Sequence, residues 1–480
     1  MGPRHRQPLP LLHRRHAGCR GFRPDLSDAG GAMWGRFVGF LTVGYFCLGR
    51  TFAYLGIPQA KLFIGELALG AFILAKPQAA IGVWAASLLR PSPLAMLSLA
   101  QYLFLICGVL QAVRGLFAGS GFDVIKYFVF NYYSFYLYFG LWAGRDDPTL
   151  LSRTLRAIAW VNGVYGLLYL VALKDVGIFL PGTENVRVFS QANASAAAVL
   201  GLVCFEPRLE RVWHLLLLNI VVLLGNSVRA EWLGLGLAIL LWALLTGRIG
   251  RVLGLGAAGL ALLGLVELSG VQIAGRGEVS VSSIISRAVA PFDEKLASEF
   301  SPYAAEDGGT LKWRQAWWET IWAAANSDPQ LELFGHGYGF DLFSLAPPSV
   351  RAGQEHENVR TPHNVFYYAL GYTGWVGVLL FAFFQLSILA LQWRSYRRSG
   401  QPFGMLYWVA GIAISFFSNY FETPFQSIPF YLVMGMAMAP VLGPLPGRSL
   451  PERPVPDRPS QNRQEAAPPP GRIAGAGRRR

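Results

Sequence analysis

The sequence predicts an all-α fold: a polytopic transmembrane helical bundle of about twelve spans with one large external loop. Three observations lead there. Of 480 residues, 53% are hydrophobic and only 14% are charged, against about 25% charged in an ordinary soluble domain. The apolar stretches recur from 36 to 268 and from 364 to 444. They are continuous and roughly 15–25 residues long, the length of a membrane helix, whereas the strands of a transmembrane barrel would alternate. The Lys and Arg residues of the short loops fall with one bias across the membrane.

The elements follow in chain order. Residues 1–33 form a basic tail rich in Arg, His, Pro and Gly. Its apolar core is too short and broken for a signal peptide, and Met33-Trp34-Gly35-Arg36 reads as a natural start. Residues 34–268 hold nine spans, at 36–56, 60–75, 94–113, 122–143, 154–173, 192–206, 211–225, 229–246 and 250–268. Residues 77–92 contain Trp84 and Arg90 and stop at Pro91, so they are expected along the interface rather than across it. Residues 269–363 form the large loop, with short helices. Residues 364–444 hold three more spans, at 364–392, 403–419 and 427–444. Residues 445–480, rich in Pro and Arg and ending in three arginines, read as a disordered tail.

Orientation comes from the basic residues. One set of short loops carries Lys76 and Arg90, Arg145 and Arg153, Arg208 and Arg211, Arg248 and Arg251, and Arg394, Arg397 and Arg398. Both basic tails fall on that side, which is therefore cytoplasmic. The opposite loops carry only Arg114, Lys174, Arg187 and Arg229. An even number of spans then places both termini inside and residues 269–363 outside. The net charge of +13 thus serves orientation, and a nucleic-acid partner is not expected. Of the four cysteines (Cys19, Cys47, Cys107 and Cys204) none lies in the long loop, which leaves it no disulfide framework and no thiolate metal site.

The long loop is not linker-like. Trp313, Trp317, Trp318, Ile321 and Trp322 recur at helical spacing and form one apolar face, destined for the bilayer surface or for the bundle. Gly335, Gly337 and Gly339 then make a glycine-rich turn; no strand precedes it, so it is not read as a nucleotide loop. Arg187 and Arg229 sit outside, against the orientation rule. A guanidinium is always charged and grips phosphate through paired hydrogen bonds. Two of them at the outer boundary suit a lipid diphosphate; a snorkelling anchor or a structural pair would place them there too. Glu231 is poorly placed to neutralise Arg229, because residues two apart do not share a helix face. His363 abuts an external span end, where an imidazole can take a proton from an attacking hydroxyl or simply be satisfied by solvent. Asn364 beside it orients either the imidazole or a substrate. Glu355-His356-Glu357 matches no metal-ligand spacing, and Glu66 inside a span has no assigned role.

Four features in order carry a resemblance. They are Arg187 followed by Gln191-Ala192-Asn193 at a span start, and Ser227-Val228-Arg229-Ala230 opening another span. Arg314 with Trp317 or Trp318 then precedes the glycine turn, and Pro362-His363-Asn364 precedes Gly371, Gly374 and Gly377. Over roughly residues 35–444 the chain resembles the O-antigen ligase and polymerase superfamily of bacterial membrane glycosyltransferases. It departs from the family pattern in reading Ser-Val-Arg-Ala rather than Ser-Arg-Gly, and in carrying Tyr372 where a glutamate is frequent. The resemblance implies a GT-C-like bundle in the bacterial inner membrane, working at its periplasmic face. It implies transfer of a glycan from a polyprenyl diphosphate carrier to an acceptor hydroxyl, with inversion and without metal or cofactor. The acceptor would be a growing glycan, lipid A-core or a protein hydroxyl. Carried onto this chain, His363, Arg229 and Arg187 become the catalytic set, and Asn364, Arg314, Asn193, Ser227 and Arg360 the substrate-binding set. The competing class is a transporter or flippase of a lipid-linked sugar. Such proteins tend to carry internal repeats and midplane sites, and here no repeat is evident and the charges gather at one face.

Overall fold

The computed structural model describes residues 28–442, apart from 58–61, 78–80, 82, 90–91, 122–123, 184–185, 192–193, 227, 251, 253, 255, 257–263, 265–272, 276, 280–281, 283–285, 287–288, 291–292, 301–303 and 354–360. Its elements are helical but for two short antiparallel pairs, β1 (Gly56–Ile57) with β2 (Leu62–Phe63) and β3 (Ile273–Gly275) with β4 (Gly277–Val279).

The first half runs through α1 (Asp28–Ala53), α2 (Ile64–Ala75), the short α3 (Val83–Leu89), α4 (Ala95–Phe117), α5 (Val124–Tyr132), α6 (Tyr136–Asp146), α7 (Leu150–Leu168), α8 (Ser195–Phe205), α9 (Trp213–Asn226) and α10 (Arg229–Thr246). The loop segment holds α11 (Glu294–Phe300), α12 (Ala304–Ala325), α13 (Pro329–Phe334) and α14 (Pro348–Gly353). It leads into α15 (Val365–Ser399), α16 (Phe403–Ser415) and α17 (Pro424–Met438). Helices thus fill eleven of the twelve expected intervals, and 250–268 lies largely outside the described residues. Among the described residues five helical stretches are long and apolar enough to cross a membrane: Ala95–Phe117, Leu150–Leu173, Arg229–Thr246, Val365–Ser399 and Pro424–Leu442.

The helices are apolar on both faces, and this is the mark of a bilayer environment. On α4, Phe104, Cys107 and Gln111 are buried, while Leu99, Tyr102, Ile106, Leu110 and Val113 form an exposed stripe. Helix pairs close through small residues, as expected where lipid leaves no hydrophobic drive between helices. On α6 and α17, a side chain at Gly140 would meet the Leu432 backbone, and one at Gly435 the backbone around Leu137 and Leu141.

One junction sets the position of everything at the loop end of the bundle. Helix α15 is interrupted at Gly374 (φ 63°, ψ −168°). The glycine turn after α13 lies against this break. His336 N donates to the Gly371 carbonyl (2.8 Å) and Gly337 N to the Tyr372 carbonyl (2.9 Å). The turn's own carbonyls are taken up by α4: Gln111 Nε2 and Arg114 Nη1 donate to Phe334 O (both 2.9 Å), and Arg114 Nη2 to Gly335 O (3.1 Å). Tyr338 is buried and donates to Asn131 on α5. The glycine-rich turn is therefore a fitted plug. Gly335, Gly337 and Gly339 all have positive φ, and a side chain at Gly335 would run into the Tyr372–Gly374 backbone.

Candidate active site at the loop end of the bundle

Helix α12 lies on the start of α15, so its tryptophan face meets the bundle. Trp317 and Ile321 are fully buried, and Trp317 Nε1 donates to the Leu342 carbonyl (2.9 Å). Trp318 stacks on Tyr367, ring centroids 5.3 Å apart, and donates to the Pro362 carbonyl (2.7 Å). That bond holds the chain one residue before His363.

His363 is the one non-glycine residue with positive φ (53°) among the described residues. Such a conformation costs on the order of 1–3 kcal/mol and persists only where the surroundings impose it. Asn364 follows as the N-cap of α15, its Oδ1 accepting from Phe366 N (2.9 Å) and Tyr367 N (3.4 Å). The imidazole stands edge-on to Trp313, centroids 6.4 Å apart. Burial, and then the charge of Arg314, push its pKa down to about 3. The ring is therefore neutral at physiological pH and free to accept a proton.

Arg314 spans this corner. Its guanidinium lies over Trp313 (5.4 Å) and donates through Nη1 to the Phe417 carbonyl (3.2 Å), while its Nε has no hydrogen-bond partner among the described residues. Burial and then the nearby Arg229 lower its proton affinity; a guanidinium nevertheless remains charged. Arg229 is the first residue of α10. Arg229 thus lies within electrostatic reach of Arg314, and Arg314 of His363, so the starts of α10 and α15 with Arg314 between them make a cationic corner.

Below that corner runs a groove of about 580 Å³, lined by Leu233 and Leu237 of α10, by Trp318 and Asn364, and by Trp408 to Phe417 on and after α16. Its lining is apolar apart from Asn364. Leu233, Leu237, Phe416 and Phe417 are each 40–45% exposed, so the groove opens sideways along the apolar surface of the bundle and ends at the cationic corner.

The turn between α16 and α17 closes the inner side, and its polar residues escaped the sequence reading. Glu422 is 7% and Gln426 9% exposed, and neither carboxylate oxygen of Glu422, nor Oε1 of Gln426, has a hydrogen-bond partner among the described residues. Burial pushes the Glu422 carboxyl up to about 8, against a smaller pull from the nearby amides of Glu422 and Phe421. Its field reaches Tyr368, whose amide donates to the Asn364 carbonyl (2.9 Å). An acidic residue between two apolar helices was the available signal; its proximity to the histidine corner was not. Glu231 points away from Arg229, as its spacing requires, and is fully buried near Tyr407 and Tyr420.

Arg187 is placed differently. It is exposed, its Nη1 donates to the Lys174 carbonyl (2.6 Å), its backbone bridges to Phe179, and its carbonyl accepts from Thr51 Oγ1 (3.0 Å). No described contact joins it to Arg229, Arg314 or His363. Asn193, Ser227, Arg360 and the Glu355-His356-Glu357 segment lie outside the described residues.

Residues 214–382 match the family profile described as O-antigen ligase. The match covers about a third of the chain. No curated protein matches it. The matched stretch opens in α9, takes in Arg229, Arg314, His363 and Asn364, and ends beyond the Gly374 break. The matched stretch thus contains Arg229, Arg314, His363 and Asn364, while Arg187 precedes it and Glu422 follows it.

Proposed function

We propose that the protein transfers a glycan from a polyprenyl diphosphate carrier to an acceptor hydroxyl at the external, periplasmic face of a bacterial cytoplasmic membrane, in the synthesis of O-antigen or exopolysaccharide. The family match supports a glycosyltransferase of the O-antigen ligase or polymerase type. The observation that carries the reading further is the continuity between a lipid-facing groove and a cationic corner with a neutral imidazole. A carrier lipid has the same two parts, an apolar chain and a diphosphate.

The prenyl chain occupies the groove and the diphosphate sits between Arg229, Arg314 and the N-terminus of α15. As the glycosidic bond breaks, negative charge builds on the departing diphosphate, and the guanidinium groups, fixed in place beforehand, stabilise it. His363 takes the proton from the acceptor hydroxyl, which attacks the anomeric carbon on the face opposite the diphosphate and inverts it. A free-state pKa of about 3 makes a weak base. The negative charge of a bound diphosphate offsets Arg314, the second cause of that depression, and so raises the imidazole's proton affinity, while burial, the larger cause, still holds it down. Arg187, which is exposed, is assigned the capture of the anion before it settles.

Purified protein in a lipid bilayer with a polyprenyl diphosphate-linked glycan and acceptor tests the reading. His363→Ala and Arg229→Ala are expected to stay folded and to lose transfer by at least about a hundredfold. Near-normal product from either variant, or transbilayer movement of the donor with no new glycosidic bond, would sink it.

A further inference from the structure

The turn between α16 and α17 has two faces. On one, Phe416 and Phe417 line the lipid groove, and the Phe417 carbonyl holds Arg314. On the other, Glu422 and Gln426 are sealed in, with three oxygens left without hydrogen-bond donors among the described residues. Between them Ser418, Asn419 and Thr423 are partly exposed. A buried polar atom without a partner is destabilising. A ligand that completes it is one reason for a fold to keep it. Here the two residues flank the start of α17, Glu422 just before its Thr423 cap and Gln426 in its first turn. They lie one loop away from the guanidinium that takes the diphosphate.

We propose that Glu422 and Gln426, with the exposed edge of the 418–423 turn, form the subsite that reads the hydroxyls of the first sugar on the carrier lipid. The proposal rests on the glycan-transfer reading and specifies its donor end. The lipid chain lies on the outer face of the turn, the diphosphate at its Phe417 end, and the sugar along its inner face. A sugar carries hydroxyl donors and acceptors at close spacing, matching the unfilled set: the Gln426 amide oxygen, and a Glu422 carboxyl that both gives and takes a hydrogen bond when neutral. The sugar meets Asn419 and Thr423 first and reaches Glu422 by a rotation of that side chain. Recognition by hydroxyl pairing is also the kind that discriminates strongly, since a sugar lacking the matched group leaves the buried oxygens unpaired.

The test separates sugar from lipid. Binding of undecaprenyl diphosphate is compared with that of undecaprenyl diphosphate bearing glucose, N-acetylglucosamine or N-acetylgalactosamine, on full-length protein in nanodiscs. Wild type is expected to bind at least one glycolipid about tenfold tighter than the bare lipid. Glu422→Leu and Gln426→Leu are expected to lose that preference while binding the bare lipid as wild type does. Their thermal stability without ligand is expected to hold or rise, because an unpartnered group has been removed. A purely structural role predicts the reverse, lower stability and equal weakening toward both lipids, and that result overturns the proposal. So does a wild type that prefers none of the three sugars, or variants that keep the preference. Arg314→Ala is the control for the underlying reading: it is expected to weaken the bare lipid itself. If it does not, the diphosphate site is wrong whatever the sugar data show.

Discussion

The loop segment meets the bundle at two junctions that treat their polar groups in opposite ways. At the glycine turn, carbonyls just before the α15 break receive donors from His336 and Gly337, and the turn's own carbonyls receive donors from Gln111 and Arg114. What is left over there among the described residues is His336 Nε2, stacked on Phe340, and the buried Tyr372 hydroxyl. At the start of α15, nine residues earlier, a strained histidine, an incompletely bonded arginine and an unpartnered carboxyl stand within a few turns of one another. A broken helix is affordable where every backbone group finds a partner. Polar groups kept unfinished a short distance away are the signature of a place that waits for substrate.

The sharpest way to break this contrast is to spoil the closed junction. Gly374→Val forces a side chain onto the Leu333 and Phe334 backbone at φ 63°, ψ −168°, a region that belongs to glycine. The backbone conformation alone costs on the order of 1–3 kcal/mol, and the collision adds to it. We expect loss of folded protein, seen as aggregation on size-exclusion chromatography. A variant with wild-type melting would mean that the break and the plug are independent.

Two arginines make the next comparison. Arg114 serves the closed junction and Arg314 the open one. Arg114→Ala removes the donors to Phe334 and Gly335 and should lower stability by about 1.5–3 kcal/mol, with activity falling only in step with the folded fraction. Arg314→Ala should leave stability within about 1 kcal/mol and lower transfer by roughly 10²–10³-fold. Melting temperature and turnover measured on the same preparations check both, and equal effects of the two substitutions would erase the distinction.

What could be read from the residues, and what could not, divides along the same line. Helices stand where long apolar runs stood, because a 20-residue apolar run has few other solutions in lipid. The Trp313–Trp322 face was legible from its spacing, though not its destination, which the Pro362 and Leu342 carbonyls decide. Arg229 and His363 were legible as charged or titratable groups at span ends, and the structure links both through Arg314. Arg114 was visible only as an exception to the orientation rule; the Phe334 and Gly335 carbonyls it holds lie more than two hundred residues away. Among Gly371, Gly374 and Gly377 only the second breaks the helix, and nothing local marks it, since the fit depends on Gly335 across the junction. Glu422 passed unremarked for the same reason: its neighbours come from α15.

The smallest effect concerns Asn364, where the two junctions' logics overlap in one side chain. Its Oδ1 already caps α15 through Phe366 N and Tyr367 N, and the residue also lines the groove. Asn364→Ala is expected to cost about 1 kcal/mol through the lost cap. Asn364→Asp separates capping from substrate contact. Aspartate caps as well as asparagine and favours the helix dipole, so the fold should be as stable as wild type or slightly more so. The same charge, however, faces the position proposed for the diphosphate and repels it, so donor binding should weaken severalfold. Melting curves with and without undecaprenyl diphosphate resolve the two effects: wild-type stability alone, and a smaller ligand-induced shift. If the aspartate variant gains as large a shift as wild type, the α15 N-terminus is not where the anion sits, and Asn364 is a cap and nothing more.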